Sequence, residues 1–205
     1  MITIVDYGSG NMASISNMLK RIGVDSLMTN SANSIANATK LILPGIGHFG
    51  HGMEQLHKRN LIDVLNQKAV IEKIPVLGIC LGAQLLTEES EEGGAKGLGW
   101  IKGKTISFDK SKLLPHQKIP HMGWTDVHSY IDNGLFRDMF ENPRFYFVHS
   151  FHLQPSLHED ILVKANYGYE FAAGIVHENI AGVQFHPEKS HKFGMKLLEN
   201  FVKNF

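Results

Sequence analysis

Cysteine is nearly absent from this chain: Cys80 is the only one in 205 residues, which excludes an internal disulfide and suits a reducing compartment. Net charge is absent too. Twenty Lys and Arg balance twenty Asp and Glu, so no overall field gathers nucleic acid or an anionic membrane surface. No apolar run reaches membrane-spanning length, and Met1 to Asp6 lacks the cationic and apolar regions of a secretion signal. A soluble, cytoplasmic protein is the expectation. Repeats, low-complexity tracts and linkers are missing as well. At 205 residues and 43% apolar the chain can bury one substantial core and is too short for two typical enzyme domains, so residues 1–205 read as one domain.

What is present centres on Gly78-Ile79-Cys80-Leu81-Gly82, between the apolar strand-like run Ile74 to Ile79 and the helical start Ala83-Gln84-Leu85-Leu86. A G-x-nucleophile-x-G turn lifts a side chain above a sheet, and here that nucleophile is sulfur. The glycines let the backbone pack closely around a strained turn. The helix N-terminus lies beside the sulfur and favours thiolate over thiol. A lone cysteine is commonly just a small core residue. The paired glycines and the strand-to-helix setting favour a nucleophile instead.

A thiolate nucleophile needs a base, and the base needs a group to orient it. Ile180 to Phe185 reads as a strand running into His186-Pro187-Glu188, which puts the imidazole at the strand's C-terminal end, where sites form in open parallel sheets. Glu188 is spaced to accept the other ring N–H, with Pro187 stiffening the turn. For the oxyanion, the buried run Leu41 to Leu43 ends in Pro44-Gly45-Ile46-Gly47, a loop whose peptides can turn an N–H inward.

Strand-like Ile2 to Val5, Leu41 to Leu43 and Val76 to Ile79 alternate with helical patterns such as Ile15, Met18, Leu19 and Ile22, stopped by Gly23. This predicts an α/β fold, an open, mostly parallel sheet covered by helices. Short strand-like runs from Gly99 to Val148 add a smaller mixed or antiparallel region. Val183 to Phe185 returns the chain to the main sheet, and a last helix follows with Ser190 as N-cap and Phe193, Leu197 and Phe201 on one stripe. In Phe145-Tyr146-Phe147, alternation buries two rings and turns Tyr146 to another surface.

Three other signals carry less. Gly8-x-Gly10-x-x-Ala13 meets a loose dinucleotide fingerprint, but Asp6 repels a phosphate there and no acidic residue stands near Met28 to grip a ribose. His48, His51 and His57 have neither a cysteine nor a paired carboxylate to complete a ligand set, so no metal is expected. Lys102, Lys104, Lys110, Lys112 and Lys118 read as a solvated hairpin and loop.

Taken in order, Asp6-Tyr7-Gly8-Ser9-Gly10-Asn11, Pro44 to Gly50, Gly78 to Leu86, Lys96 to Gly99, Pro120 to Trp124, Phe145 to Ser150 and Gly182 to Ser190 carry an end-to-end resemblance. The chain resembles class I (triad) glutamine amidotransferases, with their flavodoxin-like three-layer fold, and more narrowly the glutaminase subunits of imidazole glycerol phosphate synthase. The resemblance implies Cys80 as nucleophile, His186 as acid and base, and Glu188 as its orienting partner. It further implies Gly45, Ile46 and Gly47 as the oxyanion strand, and Gln84 with the backbone near Ser150 and Phe151 as holders of L-glutamine. Asn11, Trp124, Tyr146 and Lys189 resemble positions facing a (β/α)8-barrel cyclase subunit, which receives ammonia in histidine biosynthesis. No cofactor is implied.

Two residues depart from the family's usual motif: Thr125 stands where Asn is usual, and Ala83 where Met is frequent. These leave open a paralogue feeding ammonia to another acceptor, such as an amino-sugar precursor of surface polysaccharide. A stand-alone cysteine hydrolase and a non-catalytic binding partner are further alternatives. Gln84 with Glu188 speaks against the first, and the intact triad against the second.

Overall fold

Ile2-Thr3-Ile4-Val5 is apolar and β-branched throughout, and it forms a fully buried strand, β1 (Ile2–Val5). The computed structural model describes residues 1–129, 131 and 133–205. After β1 come α1 (Met12–Arg21), β2 (Ser26–Thr29), α2 (Ala32–Ala36), β3 (Leu41–Gly45), α3 (Phe49–Lys58) and α4 (Ile62–Asn66). α1 stops as expected: Gly23 has φ +83°, Val24 N–H reaches Leu19 C=O, and Gly23 N–H reaches Lys20 C=O. β4 (Val76–Cys80) then leads straight into the single turn α5 (Leu81–Leu85).

The middle of the chain supplies β5 (Glu89–Ser90), β6 (Gly103–Ser107), β7 (His121–Ser129), β8 (Arg144–His149), β9 (Phe151–Pro155), β10 (Ile161–Tyr167) and β11 (Tyr169–His177). Finally β12 (Ile180–Val183) returns to the centre and α6 (His191–Asn204) closes the fold. The strand order is β2-β1-β3-β4-β12-β11-β10-β7-β8, with β9, β6 and β5 branching from β11. β2, β1, β3, β4 and β12 pair in parallel, and β12 meets β11 antiparallel. The antiparallel region expected over 99–148 thus runs on to His177, as an extension of the same sheet.

Strand alternation divides the core between two faces. Ile2, Ile4, Ile42, Leu77 and Ile79 pack with Ile15 and Leu19 of α1 and Phe193, Leu197 and Phe201 of α6. Val5, Leu41, Leu43 and Val76 face α2, α3, α4 and α5 through Ile35, Phe49, Leu56, Leu65 and Leu85. Helices on both faces leave the C-terminal ends of β1, β3, β4 and β12 as the open edge.

Candidate active site

Cys80 closes β4 with φ +52° and ψ −108°, a backbone conformation a non-glycine residue holds only when its surroundings over-determine it. The glycines explain how. A Cβ on Gly82 would lie 1.7 Å from the Leu43 carbonyl oxygen, and one on Gly78 would lie 2.8 Å from backbone atoms of Ala83. Gly182 stands in register beside Gly78 on β12, where a Cβ would meet that of Ala83 at 2.9 Å. A groove of hydrogen atoms on two adjacent strands lets α5 sit down on the sheet and forces the sharp turn at the sulfur. Ala83 is the residue seated there.

Register brings the other groups to the same edge. Gly45 pairs with Cys80 across β3 and β4, and β12 ends at Val183, opposite Ile79, just before His186. His186 Nδ1 and Glu188 Oε1 are 2.8 Å apart, with side chains 1% and 2% exposed. Burial disfavours the charged ring, but the Cys80 sulfur and the Glu188 carboxylate outweigh it and raise His186 to about 9. His186 Nε2 is buried and bonds nothing among the described residues, so it is free to exchange a proton.

The turn that carries His186 is tied to β8. His186 N–H donates to Tyr146 C=O at 2.9 Å, while Ser190 Oγ donates to His186 C=O at 2.6 Å and accepts Tyr146 N–H at 3.0 Å. Ser190 does precede α6, as expected of an N-cap, but its side chain makes no capping bond because these two take it.

Cys80, His186, Gln84, Ser150, Phe151, Ile46 and Gly47 line one cleft of about 560 Å³, with His48, Glu92, Pro120, Val148, His149 and Lys189. Gly45 lies beneath it, beside the Tyr7 hydroxyl, which a Cβ on Gly45 would meet at 2.1 Å. Gln84 Nε2 donates to Phe151 C=O and to Gln184 Oε1, both at 3.2 Å, and Gln184 Nε2 lies 3.8 Å from the Cys80 sulfur. Ile46 is held differently from the other loop residues. Its N–H donates to Ser9 Oγ at 2.9 Å and its carbonyl accepts from the same hydroxyl at 2.6 Å. The Ile46 N–H is therefore not free to point at an oxyanion.

Beside the cleft, Trp124 and Tyr146 meet edge to face at 6.3 Å, Lys189 Nζ sits 5.6 Å from the Tyr146 ring, and Trp124 stacks on His191. Trp124 is 40% exposed. Asn11 is exposed at the start of α1, a helix that packs against the Pro187–Lys189 turn. The glycine loop before it is filled from within, since Asp6 Oδ1 accepts Gly8 N–H at 3.0 Å. His48 Nδ1 accepts Gly50 N–H and caps α3. Among the described residues, no helix is long and apolar enough to cross a membrane.

Sequence reasoning gave Ser9 and Gln184 no role at the site and read Ser190 only as an N-cap. Gln184 had a signal: it is a polar residue inside an apolar strand, two before His186 and so on the same face. Ser9 and Ser190 had none beyond their place within the motifs.

Residues 3–205 match the family described as glutamine amidotransferase class-I. The chain belongs to that family. It is 55% identical over 203 residues to imidazole glycerol phosphate synthase subunit HisH 2 of Methanococcus maripaludis, covering 99% of both chains. To the subunit of the same name from Pseudomonas aeruginosa it is 47% identical, again with 99% of both covered. The glutamine amidotransferase is therefore of the HisH group. A solved structure described as a glutamine amidotransferase superposes with a TM-score of 0.76 at 15% identity, covering 99% of this chain and 98% of that one, a likeness of fold.

Proposed function

We propose that this chain is the glutaminase subunit of an imidazole glycerol phosphate synthase. It hydrolyses L-glutamine to glutamate and hands the ammonia to a (β/α)8-barrel cyclase subunit, which makes imidazole glycerol phosphate and an aminoimidazole carboxamide ribonucleotide for L-histidine. The observation that carries this reading is the convergence of strained Cys80, the buried His186–Glu188 pair and the Gly45–Gly47 loop on one cleft.

The chemistry follows from those positions. The Cys80 thiolate attacks the side-chain amide carbon of glutamine, and the carbonyl oxygen takes the electron pair. As that pair returns, the C–N bond breaks and His186 Nε2 gives its proton to the departing nitrogen, which leaves as ammonia. Water then attacks the thioester while His186 takes a proton from it, the C–S bond breaks, and glutamate leaves the restored thiolate. Glu188 keeps the ring's Nδ1 side protonated and aimed throughout. Gln184 donates to the sulfur, and Gln84 with Ser150 and Phe151 holds the substrate. Turning the Gly45–Ile46 peptide away from Ser9 would supply the oxyanion donor.

Trp124, Tyr146, Lys189 and Asn11 form the docking face for the barrel. Exposed Trp124 beside the cleft supports this, because a partner seated there would cover the exit for ammonia and keep water from it. Mixed with the cyclase subunit of its own organism, the chain should support glutamine-dependent formation of imidazole glycerol phosphate. Ammonium salts should replace it.

A second reading has an observation of its own. Both relatives above carry the number 2 in their names, which leaves room for a companion that serves the histidine pathway. On that reading a different barrel protein takes the nitrogen. Product from ammonium salts but never from glutamine, with transfer restored by a second barrel, would decide for the paralogue.

A further inference from the structure

The antiparallel strands bury His121, His149 and His152, none of which is used in the hydrolysis above. Two of them form a chain. Thr125 Oγ1 lies 2.8 Å from His121 Nε2, His121 Nδ1 lies 2.9 Å from His149 Nε2, and His149 Nδ1 lies 2.7 Å from the carbonyl oxygen of Phe151. A carbonyl can only accept, so that end sets the direction of the whole chain. His149 Nδ1–H donates to Phe151, His149 Nε2 accepts from His121 Nδ1–H, and His121 Nε2 accepts from the Thr125 hydroxyl. Both rings are then neutral. Burial favours that state, lowering His121 to about 4 and His149 well below its usual range.

The far end of the chain reaches the substrate pocket. The Phe151 carbonyl also accepts from Gln84 Nε2, and that nitrogen donates a second time to Gln184 Oε1. With its nitrogen committed twice, Gln84 keeps Oε1 for the cleft it lines, where no donor among the described residues bonds it. If the carbonyl turned, the amide would lose one of the two acceptors that fix its orientation.

We propose that Thr125, His121 and His149 are positioning residues for glutamine, a one-way hydrogen-bond relay that fixes the Phe151 carbonyl and, through it, the Gln84 amide. This rests on the glutaminase reading. It also accounts for Thr125 in place of the family's usual Asn: the hydroxyl hydrogen supplies the donor that the Asn amide would, and the relay keeps its direction. The near end lies on the strand that carries exposed Trp124, so a partner docked there sits against the same strand that anchors the pocket wall.

The test uses the Cys80→Ala chain, which cannot turn glutamine over. Calorimetry measures glutamine binding to it alone and with Thr125→Val, Thr125→Ser or Thr125→Asn added, and nitrogen NMR at pH 7 reads the imidazole tautomers. Val matches Thr in shape but lacks the hydroxyl, so it should weaken binding about tenfold, while Ser and Asn stay within about threefold of the parent. Both rings should carry their proton on Nδ1 in the parent. Unchanged binding in Thr125→Val, or Asn as weak as Val, overturns the relay. So does an Nε2–H tautomer on either ring, a readout that holds even if Thr125→Val does not fold. Failure of the Cys80→Ala parent itself to bind glutamine would overturn the glutaminase reading instead, leaving the tautomers to judge the relay.

Discussion

The parallel strands β1 to β4 with β12 and the antiparallel strands β6 to β11 share one sheet but treat their buried histidines in opposite ways. On the parallel side the strands are apolar, and the polar groups at their C-terminal edge are left under tension. Cys80 holds φ +52°, and the Tyr7 hydroxyl and His186 Nε2 are buried without partners among the described residues. On the antiparallel side three histidines lie inside, and their rings are saturated. Each ring nitrogen of His121, His149 and His152 has a partner, the last through Leu153 C=O and the Tyr169 hydroxyl. Unmet bonding capacity is where a substrate can act, and met capacity is what holds a wall still.

The largest effect should come from removing the group under most tension. Cys80→Ala should abolish glutamine hydrolysis and leave unfolding and partner binding nearly unchanged, since it removes the nucleophile but little volume. His186→Ala should be nearly as damaging. Glu188→Gln should cost less, on the order of 10- to 100-fold, because it orients the base without exchanging the substrate's proton. Steady-state glutaminase assays decide this. Hydrolysis by Cys80→Ala at the parent rate would falsify the proposed chemistry.

The same contrast explains what the sequence made legible. Buried parallel strands read as unbroken apolar runs, so Ile2–Val5 was expected with its observed bounds, and glycines at 78 and 82 mark the elbow. That Cys80 and His186 meet at one edge was legible because Cys80 ends one such run and His186 follows another closely, with Glu188 in the turn after it. The antiparallel side was not: Tyr167 to Tyr169 turns through a single glycine, and its strands carry histidines that look like surface residues until pairing puts them inside. Ser9 was illegible for another reason. It joins Ile46 across 37 residues, and nothing local predicts that contact.

Next in size is a change that damages the parallel side through shape alone. Gly78→Ala adds one methyl 2.8 Å from the backbone of α5, which cannot yield without lifting the helix off the sheet. We expect a loss of about 3 kcal/mol or more in urea unfolding, with glutaminase activity falling in parallel. Gly23→Ala meets nothing within 4 Å and tests backbone strain alone, so it should cost about 1 kcal/mol. Equal losses at the two sites would show that close packing is not what Gly78 provides.

The pH dependence of stability should separate the two sides by sign. His186 is raised to about 9 in the fold, so its contribution is complete below about pH 6.5, the unfolded value, and fades as pH climbs through 9. His121 is lowered to about 4, so the fold prefers its neutral form. Its contribution is complete above about pH 6.5 and fades as pH falls toward 4. Each change is on the order of 3 kcal/mol across its window. His186→Gln should flatten the alkaline limb and His121→Gln the acid limb. A variant that flattened the opposite limb would reverse the assignment.

The smallest effect is the most specific. A single hydroxyl, Ser9 Oγ, holds both the N–H and the C=O of Ile46, and so keeps the N–H proposed as oxyanion donor occupied. These bonds are exposed, so each contributes about 0.5–1.5 kcal/mol, a bias that a docking partner can overcome. Gly45 and Gly47 flank the peptide, and Gly47 already holds φ +99° with open space around it, so the backbone can turn without a clash. Ser9→Ala removes both bonds and touches neither the triad nor the docking face. In isolation the variant should hydrolyse glutamine several-fold faster, up to about tenfold, because the donor-inward conformer no longer competes with the Ser9 bonds. With the barrel subunit and its acceptor bound, parent and variant should turn over at nearly the same rate, since docking has already paid that difference. Side-by-side turnover of the free chain and the complex tests this. A variant no faster than the parent in isolation, yet slower in the complex, would mean that Ser9 serves the turned peptide and restrains nothing.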